Sequence, residues 1–265
     1  MTTSLVTGAT AGLGAAFARR LAAGGGAPGE GRHTLVLVAR DAERLEQVAR
    51  ELRESHGAVV EVLPADLATR EGVAAVEARL RDRERPVDVL VNNAGFGNRG
   101  GFLDVPVEDE VRMLRLHCEA VLRLTSAAAE VMRERRRGYV LNVASVAAFM
   151  PRGTYSASKA WVVRFTEGLA QELSGSGVRL TALCPGFVRT EFHQRAGMDA
   201  SRLPSFAWLD ADAVAAAAVR DLARGRVVSV PSVRYKAAVA LARHVPASLY
   251  GRVSTRAGRR YDPRR

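Results

Sequence analysis

Tyr155 and Lys159 stand four residues apart in the stretch TYSASKA. On a helix that spacing puts both side chains on one face, with Cβ atoms about 5–6 Å apart. A phenol with its ordinary pKa near 10 exchanges protons poorly at neutral pH. A neighbouring ammonium stabilises the phenolate and moves that value toward the working range of a general acid–base. The pair therefore predicts proton exchange with a substrate oxygen. The bland reading is a half-buried aromatic beside a lysine whose stem lies on the surface.

A second constellation is TGATAGLG, with glycines at 8, 12 and 14. It follows the apolar run SLVTG and opens a stretch of helix formers. Glycines let the backbone approach a pyrophosphate, and a helix N-terminus supplies free N–H donors and the positive end of the dipole. The spacing is G-x-x-x-G-x-G, not G-x-G-x-x-G, and a tight turn that binds nothing is the alternative. The next apolar run, HTLVLVAR, ends in Ala39-Arg40. NAD-binding units usually carry an acid here for the ribose 2′-OH. Arg40 instead suits a 2′-phosphate, and Arg44, one turn on, can assist. NADP(H) is therefore expected over NAD(H), although Arg40 also reads as an ordinary surface arginine.

These residues need a scaffold, and the apolar pattern supplies one. Near-continuous apolar runs (SLVTG, HTLVLVAR, AVVEVLPADL, PVDVLVNNAG, GYVLNVAS, VRLTALCPG, RVVSVP) alternate with helical stretches. The helices are expected over Leu13–Ala23, Asp41–Ser55, Thr69–Arg83, about Val107–Arg137, Tyr155–Ser174 and Asp212–Arg224. Asp41 serves as an N-cap. This is the pattern of an α/β domain: a doubly wound, Rossmann-like parallel sheet of about seven strands with helices on both faces. Residues 1–230 read as one catalytic domain. EFHQRAGMDASRLPSFAW fits no regular pattern, so residues 190–209 are a candidate lid over the strand ends. Gly24–Arg32 reads as a surface loop.

Taken together, TGATAGLG, NNAG (Asn92–Gly95), Ser145, YSASK (Tyr155–Lys159) and Pro185-Gly186 stand in order at strand ends. In that order and spacing the chain resembles the short-chain dehydrogenase/reductase family, in its short single-domain branch. The resemblance spans roughly Thr3 to Val230. It implies a hydride transfer between nicotinamide and a carbonyl or secondary alcohol, with Tyr155 as the acid–base. It implies that Lys159 holds the nicotinamide ribose and that Ser145 bonds the substrate carbonyl. Gly8, Thr10, Ala11, Gly12, Leu13 and Gly14 would line the pyrophosphate. Asp66, with Leu67 beside it, would approach the adenine amino group, and Asn93, Ala94 and Gly95 the adenosine side. Pro185, Gly186, Val188 and Thr190 would lie by the nicotinamide. No metal site is assigned.

Two departures stand out. The serine-to-tyrosine gap is ten residues, shorter than is usual in the family, which reshapes the wall near Phe149 and Met150. His117 falls where the family usually has an asparagine that supports a proton-relay water. Imidazole can relay a proton and titrates near neutral pH; a buried structural histidine bonded to a carbonyl is the equal alternative.

The substrate wall is expected from Phe96, Phe149, Met150, Phe187, Phe192, Leu203, Phe206 and Trp208, which suits a hydrophobic carbonyl compound or alcohol. The net charge of +11 is concentrated at the end: Arg226–Arg265 carries ten Lys/Arg against one Asp. Residues 231–265 read as a basic helix, Tyr235–Arg243, and tail. It is either solvated or in contact with anionic lipid or an acidic protein. The tail lacks interleaved aromatics, so nucleic acid is ranked last. Cys118 and Cys184 lie in apolar segments and read as reduced. With no signal peptide pattern and no apolar run near 18 residues, a cytoplasmic protein is expected, commonly a homodimer or homotetramer in this family. A non-catalytic NADP-binding regulator is the rival function.

Overall fold

The computed structural model describes residues 2–24, 33–98, 100–151, 153–191 and 204–244. Seven strands form one sheet: β1 (Thr2–Thr7), β2 (His33–Ala39), β3 (Val59–Pro64), β4 (Val89–Asn92), β5 (Gly138–Val143), β6 (Val178–Leu183) and β7 (Val228–Ser229). Their order is β3-β2-β1-β4-β5-β6-β7, and all pairs are parallel. The chain winds one way from β1 to β3 and the other way from β4. The carboxyl ends of β1 and β4 therefore flank the switch point, where open α/β sheets bind ligands.

Strand pleating explains why the apolar runs are continuous. Val6, Leu35 and Leu37 join the core on one face, while Leu5, Val36 and Val38 join the core on the other. Alternate side chains leave on opposite faces, so a sheet covered twice needs both sets apolar. The first face is closed by α1 (Gly12–Ala22), α2 (Ala42–His56) and, after four helices named below, α7 (Ala211–Ala223). The second face is closed by α3 (Arg70–Leu80), α5 (Ala120–Glu134) and α6 (Gly153–Glu172). Asp41 caps α2 by accepting from Arg44 N at 2.9 Å, and Thr69 caps α3 by accepting from Gly72 N at 3.1 Å.

The expected long helix over 107–137 is three pieces. It runs as α4 (Val107–Leu114), a π-helical turn (Arg115–Glu119) and α5. Hydrophobic spacing does not reveal a one-residue expansion of the helix, and such π-turns are frequent at functional sites. His117 lies in this one.

A polar network buried in the sheet ties the second face to its strands. Asn92 and Asn142 are register partners on β4 and β5. The Asn92 amide donates to Asn142 Oδ1 at 2.9 Å and to Thr125 Oγ1 of α5 at 3.0 Å. Asn142 donates in turn to Thr166 Oγ1 of α6 at 3.0 Å. Such a network fixes register where apolar side chains alone would tolerate slippage.

After β6 the chain leaves the sheet and returns at Leu209, which pairs with Val188. Phe192 and Leu203, expected in the pocket wall, lie outside the described residues, as do residues 25–32 of the expected surface loop and residues 245–265 of the basic tail. The tail's first part is helical, as α8 (Val233–His244). Among the described residues no helix is long and apolar enough to cross a membrane, and neither Cys118 nor Cys184 forms a disulfide.

Candidate active site

The carboxyl ends of β1, β4, β5 and β6 converge on one rim. At β1, Gly8 and Gly12 adopt positive φ of 67° and 54°, which favours glycine. Gly14 is needed for space: a Cβ there would overlap Gly8 O and lie 2.5 Å from Asn93 Nδ2. A Cβ at Gly12 would point toward Thr190, 3.0 Å from its Cβ. Gly8 and Gly14 thus let the turn fold on itself and against Asn93, while Gly12 faces the segment after β6.

Helix α1 starts at Ala11 with no side-chain cap and no acid in its first turn. Its leading N–H groups and dipole are thus placed for an anion. Thr10, Ala11, Gly12 and Arg44 line a common cleft of about 630 Å³, with Leu13 half-buried beneath them against the core. Arg40, next to the end of β2, is exposed. The uncapped helix start, the glycine cradle and the Arg44 guanidinium suit the phosphates of a dinucleotide, while Glu51, Glu54 and Glu191 line other parts of the same cleft.

Thr7 was not singled out by sequence, yet it holds the two central strand ends together. Its hydroxyl accepts from Asn93 N at 2.9 Å and from Ala94 N at 3.0 Å. The Asn93 side chain is committed to the same junction, donating to Thr7 O at 2.9 Å. Asp66, with buried Leu67 behind it, receives Ala68 N at 2.9 Å and Arg112 Nη2 of α4 at 3.2 Å. Arg112 is thus a neighbour of the expected adenine contact that sequence spacing could not foresee.

The fifth strand delivers Ser145, which begins the 3₁₀ turn Val146–Phe149 and accepts from Ala147 N at 3.1 Å. Pro185 O accepts from Val146 N at 3.0 Å, joining this loop to the Pro185-Gly186 turn. Helix α6 brings Tyr155 and Lys159 to the same place. Burial raises the Tyr155 phenol and its hydrogen bond to Ser145 pulls the other way, which leaves it at about 12. Lys159 is buried, its Nζ donating to Val143 O at 3.0 Å and lying 5.9 Å from the Tyr155 ring centroid. Burial pushes Lys159 down to about 8.

Burial outweighs the neighbouring groups at both Tyr155 and Lys159 in the protein without cofactor. The ammonium lies over the ring rather than at the hydroxyl, and desolvation dominates both groups.

His117 is buried with both ring nitrogens engaged. Phe96 N donates to Nε2 at 3.3 Å, and Nδ1 is 3.0 Å from Ser158 Oγ. Ser158 donates its own hydrogen to Tyr155 O at 2.8 Å, so Nδ1 carries the proton and Nε2 accepts. Burial first, and the Lys159 charge second, hold His117 well below 6.5. The ring meets Tyr155 edge-on, centroids 5.7 Å apart, and Phe96 at 6.2 Å. The partners are a serine hydroxyl and a backbone N–H, not the carbonyl that sequence reasoning supplied. Gly95 leaves room for it: a Cβ there would be 2.9 Å from Nε2.

The expected substrate wall divides. Phe96 stands by His117. Phe149 and Met150 border a cleft along α6 with Ala157, Ala160 and Arg164. Phe187 and Trp208 meet at 6.0 Å, and Val188 is buried at the base of the excursion. Phe206 is largely exposed.

The family model for short chain dehydrogenases matches residues 2–200. An uncharacterised oxidoreductase of Staphylococcus saprophyticus is 34% identical over 190 residues, covering 71% of this chain and 78% of the relative. A short-chain dehydrogenase from Sphingobium yanoikuyae, solved in complex with NADPH, superposes with a TM-score of 0.81 at 36% identity. It covers 97% of this chain and 94% of its own. A bulky-bulky ketone specific alcohol dehydrogenase from Comamonas testosteroni gives 0.77 at 31% identity, covering 97% and 93%. The matched length, the sheet order and these likenesses show that the chain belongs to the short-chain dehydrogenase/reductase family, an oxidoreductase acting on CH–OH and C=O groups.

Proposed function

We propose that this enzyme reduces bulky hydrophobic ketones with NADPH, and that Tyr155 protonates the carbonyl oxygen. The observation that carries the reading is the contact of Ser145, Tyr155 and Lys159 at the carboxyl end of β5, beside the glycine cradle of β1. When bound, the nicotinamide supplies the hydride. Ser145 orients the carbonyl oxygen and Tyr155 gives it a proton. Lys159, held by Val143 O, contributes positive charge near the ring and a donor for the ribose. His117 is assigned a positioning role: neutral, it fixes the Phe96 backbone to the turn of α6 that bears Tyr155.

Arg40 and Arg44 favour the 2′-phosphate, and no acid at the end of β2 opposes it. The NADPH in the Sphingobium neighbour supports the same choice. The aromatic group of Phe96, Phe149, Phe187 and Trp208, together with the ketone preference named for the Comamonas neighbour, supports a bulky substrate. No observation favours a non-catalytic regulator.

The test is NADPH oxidation across ketones graded from small aliphatic to diaryl, for wild type and Tyr155→Phe. We expect turnover of the large ketones, with loss of about 10³-fold or more in the variant and NADPH affinity nearly unchanged. Retained activity in Tyr155→Phe refutes the assignment, and a preference for NADH refutes the cofactor.

A further inference from the structure

Helix α8 begins the segment that composition sets apart as a basic tail. Its first turn nevertheless reaches the active-site rim. The Tyr235 hydroxyl accepts from Phe187 N at 3.2 Å and donates to Ala207 O at 2.7 Å. Phe187 lies on the limb that leaves the sheet after Pro185-Gly186, and Ala207 on the limb that returns. One hydroxyl therefore ties both described limbs of the excursion, next to their own pairing (Leu209 N to Phe187 O, 2.7 Å; Arg189 N to Leu209 O, 2.9 Å).

Two further observations point the same way. A Cβ on Gly186 would overlap the Tyr235 ring, so the ring lies directly on the Pro185-Gly186 turn. The preceding residue, Arg234, donates to Phe206 O at 2.7 Å and stacks over the Phe206 ring at 5.7 Å. Tyr235 and Phe149 both pack against the core group of Ala144, Val162 and Cys184. Tyr235 therefore touches the Pro185-Gly186 turn and both limbs, while α8 packs against the serine loop.

We propose that Tyr235 is a positioning residue that determines substrate size. It holds the Phe187–Trp208 ring pair at one separation beside the turn that the nicotinamide would meet. The inference rests on the ketone-reductase reading for its substrate, but not for its geometry. The hydroxyl has both a donor and an acceptor to satisfy, and phenylalanine satisfies neither. Removing it leaves Ala207 O and Phe187 N without that partner, so the limbs are held only by their backbone pairing at Leu209 and the Phe187–Trp208 end loosens.

The chain has two tryptophans, Trp161 and Trp208. In a Trp161→Phe background, Trp208 alone reports on the limbs. Acrylamide quenching of Trp208 is compared with and without Tyr235→Phe, and again with Arg234→Ala, a change on the exposed face of α8. Thermal melts check that each variant is folded. KM and kcat are measured for a small aliphatic and a diaryl ketone, with NADPH affinity measured separately. For Tyr235→Phe we expect Trp208 quenching to rise about two-fold. The KM for the diaryl ketone should rise roughly tenfold, the equivalent of one lost hydrogen-bonding group. The small-ketone kcat and the NADPH affinity should hold. Arg234→Ala should shift quenching and KM the same way by less. Unchanged quenching in folded Tyr235→Phe overturns the proposal whether or not any ketone is turned over. Raised quenching with an unchanged ratio of the two KM values overturns the role in specificity. Failure of wild type to reduce any ketone would count against the catalytic reading, while quenching still decides the geometry.

Discussion

Replacing Lys159 with methionine should stabilise the protein while abolishing turnover. Lys159 is 6% exposed and titrates at about 8 against an ordinary 10.5. At about 1.4 kcal/mol per pH unit, keeping it charged in the fold costs roughly 3 kcal/mol relative to the neutral amine. Methionine has similar length and no charge. It gives up the hydrogen bond to Val143 O, worth about 1–2 kcal/mol. The net expectation for the protein without cofactor at pH 7 is a gain of about 1–2 kcal/mol. The pH dependence is the sharper test. Below pH 8 lysine is charged in both the folded and unfolded chains, so the cost is fully present. Between 8 and 10.5 the unfolded chain binds the extra proton, so wild-type stability rises with pH. The advantage of Lys159→Met should therefore shrink above pH 8 and reverse sign near pH 9, falling by about 2–3 kcal/mol between pH 7 and 10. Urea unfolding of both proteins across that range measures it, and groups common to both cancel in the difference. A difference that stays flat from pH 7 to 10, or a variant less stable at pH 7, refutes the reasoning. Activity should fall at least about 10³-fold, making this a site where stability and function oppose each other.

Four other outcomes are expected. Arg40→Glu with Arg44→Glu should raise the KM for NADPH at least ~30-fold while leaving that for NADH within ~3-fold, since charge-assisted contacts to a phosphate are worth about 2 kcal/mol or more; equal effects on both cofactors would exclude a 2′-phosphate role. Gly12→Ala should fold, losing about 1 kcal/mol for its positive φ and weakening NADPH about tenfold as measured by fluorescence titration, whereas Gly14→Val should not fold, because its Cβ would overlap Gly8 O. Because His117 is held well below 6.5, the unfolded chain binds the extra proton as pH falls below 6.5, and stability should decline there with a slope that His117→Asn removes; a wild-type kcat inflection near 6.5 that vanished in the same variant would restore the proton relay. Val107, Val111, Leu114 and Leu122 leave an exposed apolar stripe on α4 and α5, and Val111→Asp with Leu114→Asp should yield monomers by light scattering where wild type is a dimer or larger.

What was legible in the sequence divides along a physical line. The sheet was readable because burial on both faces forces continuous apolar strands, and the glycines because only that residue tolerates the turn. The Tyr155–Lys159 pair proposed to carry the chemistry is visible in the sequence because the proposed reaction dictates its residue types. Residues whose function is to hold others were not. Thr7, Asn142, Thr125, Ser158 and Tyr235 are polar side chains of ordinary kinds, and their roles exist only through partners far away in the chain. Tyr235 reaches residues 48 and 28 positions earlier. The π-turn at His117 escaped for a related reason: a single added residue shifts the helix face without breaking its apolar pattern.

Lys159 runs against the chain's own choice of basic residue. Lys+Arg total 39, and the lysines among them are only Lys159 and Lys236. Charge alone would have been met by arginine, as it is almost everywhere else in this chain. Guanidinium keeps its proton when buried and presents a wide planar fork. The space below Val143 O holds a compact ammonium whose pKa burial can move to about 8. In the proposed reaction a group there attracts a ribose hydroxyl and a developing phenolate, and it must also fit beneath Val143 O. A compact point charge on a flexible stem meets both requirements. A lysine at 159, against the chain's own usage, is therefore an argument for chemistry at this position rather than for surface charge.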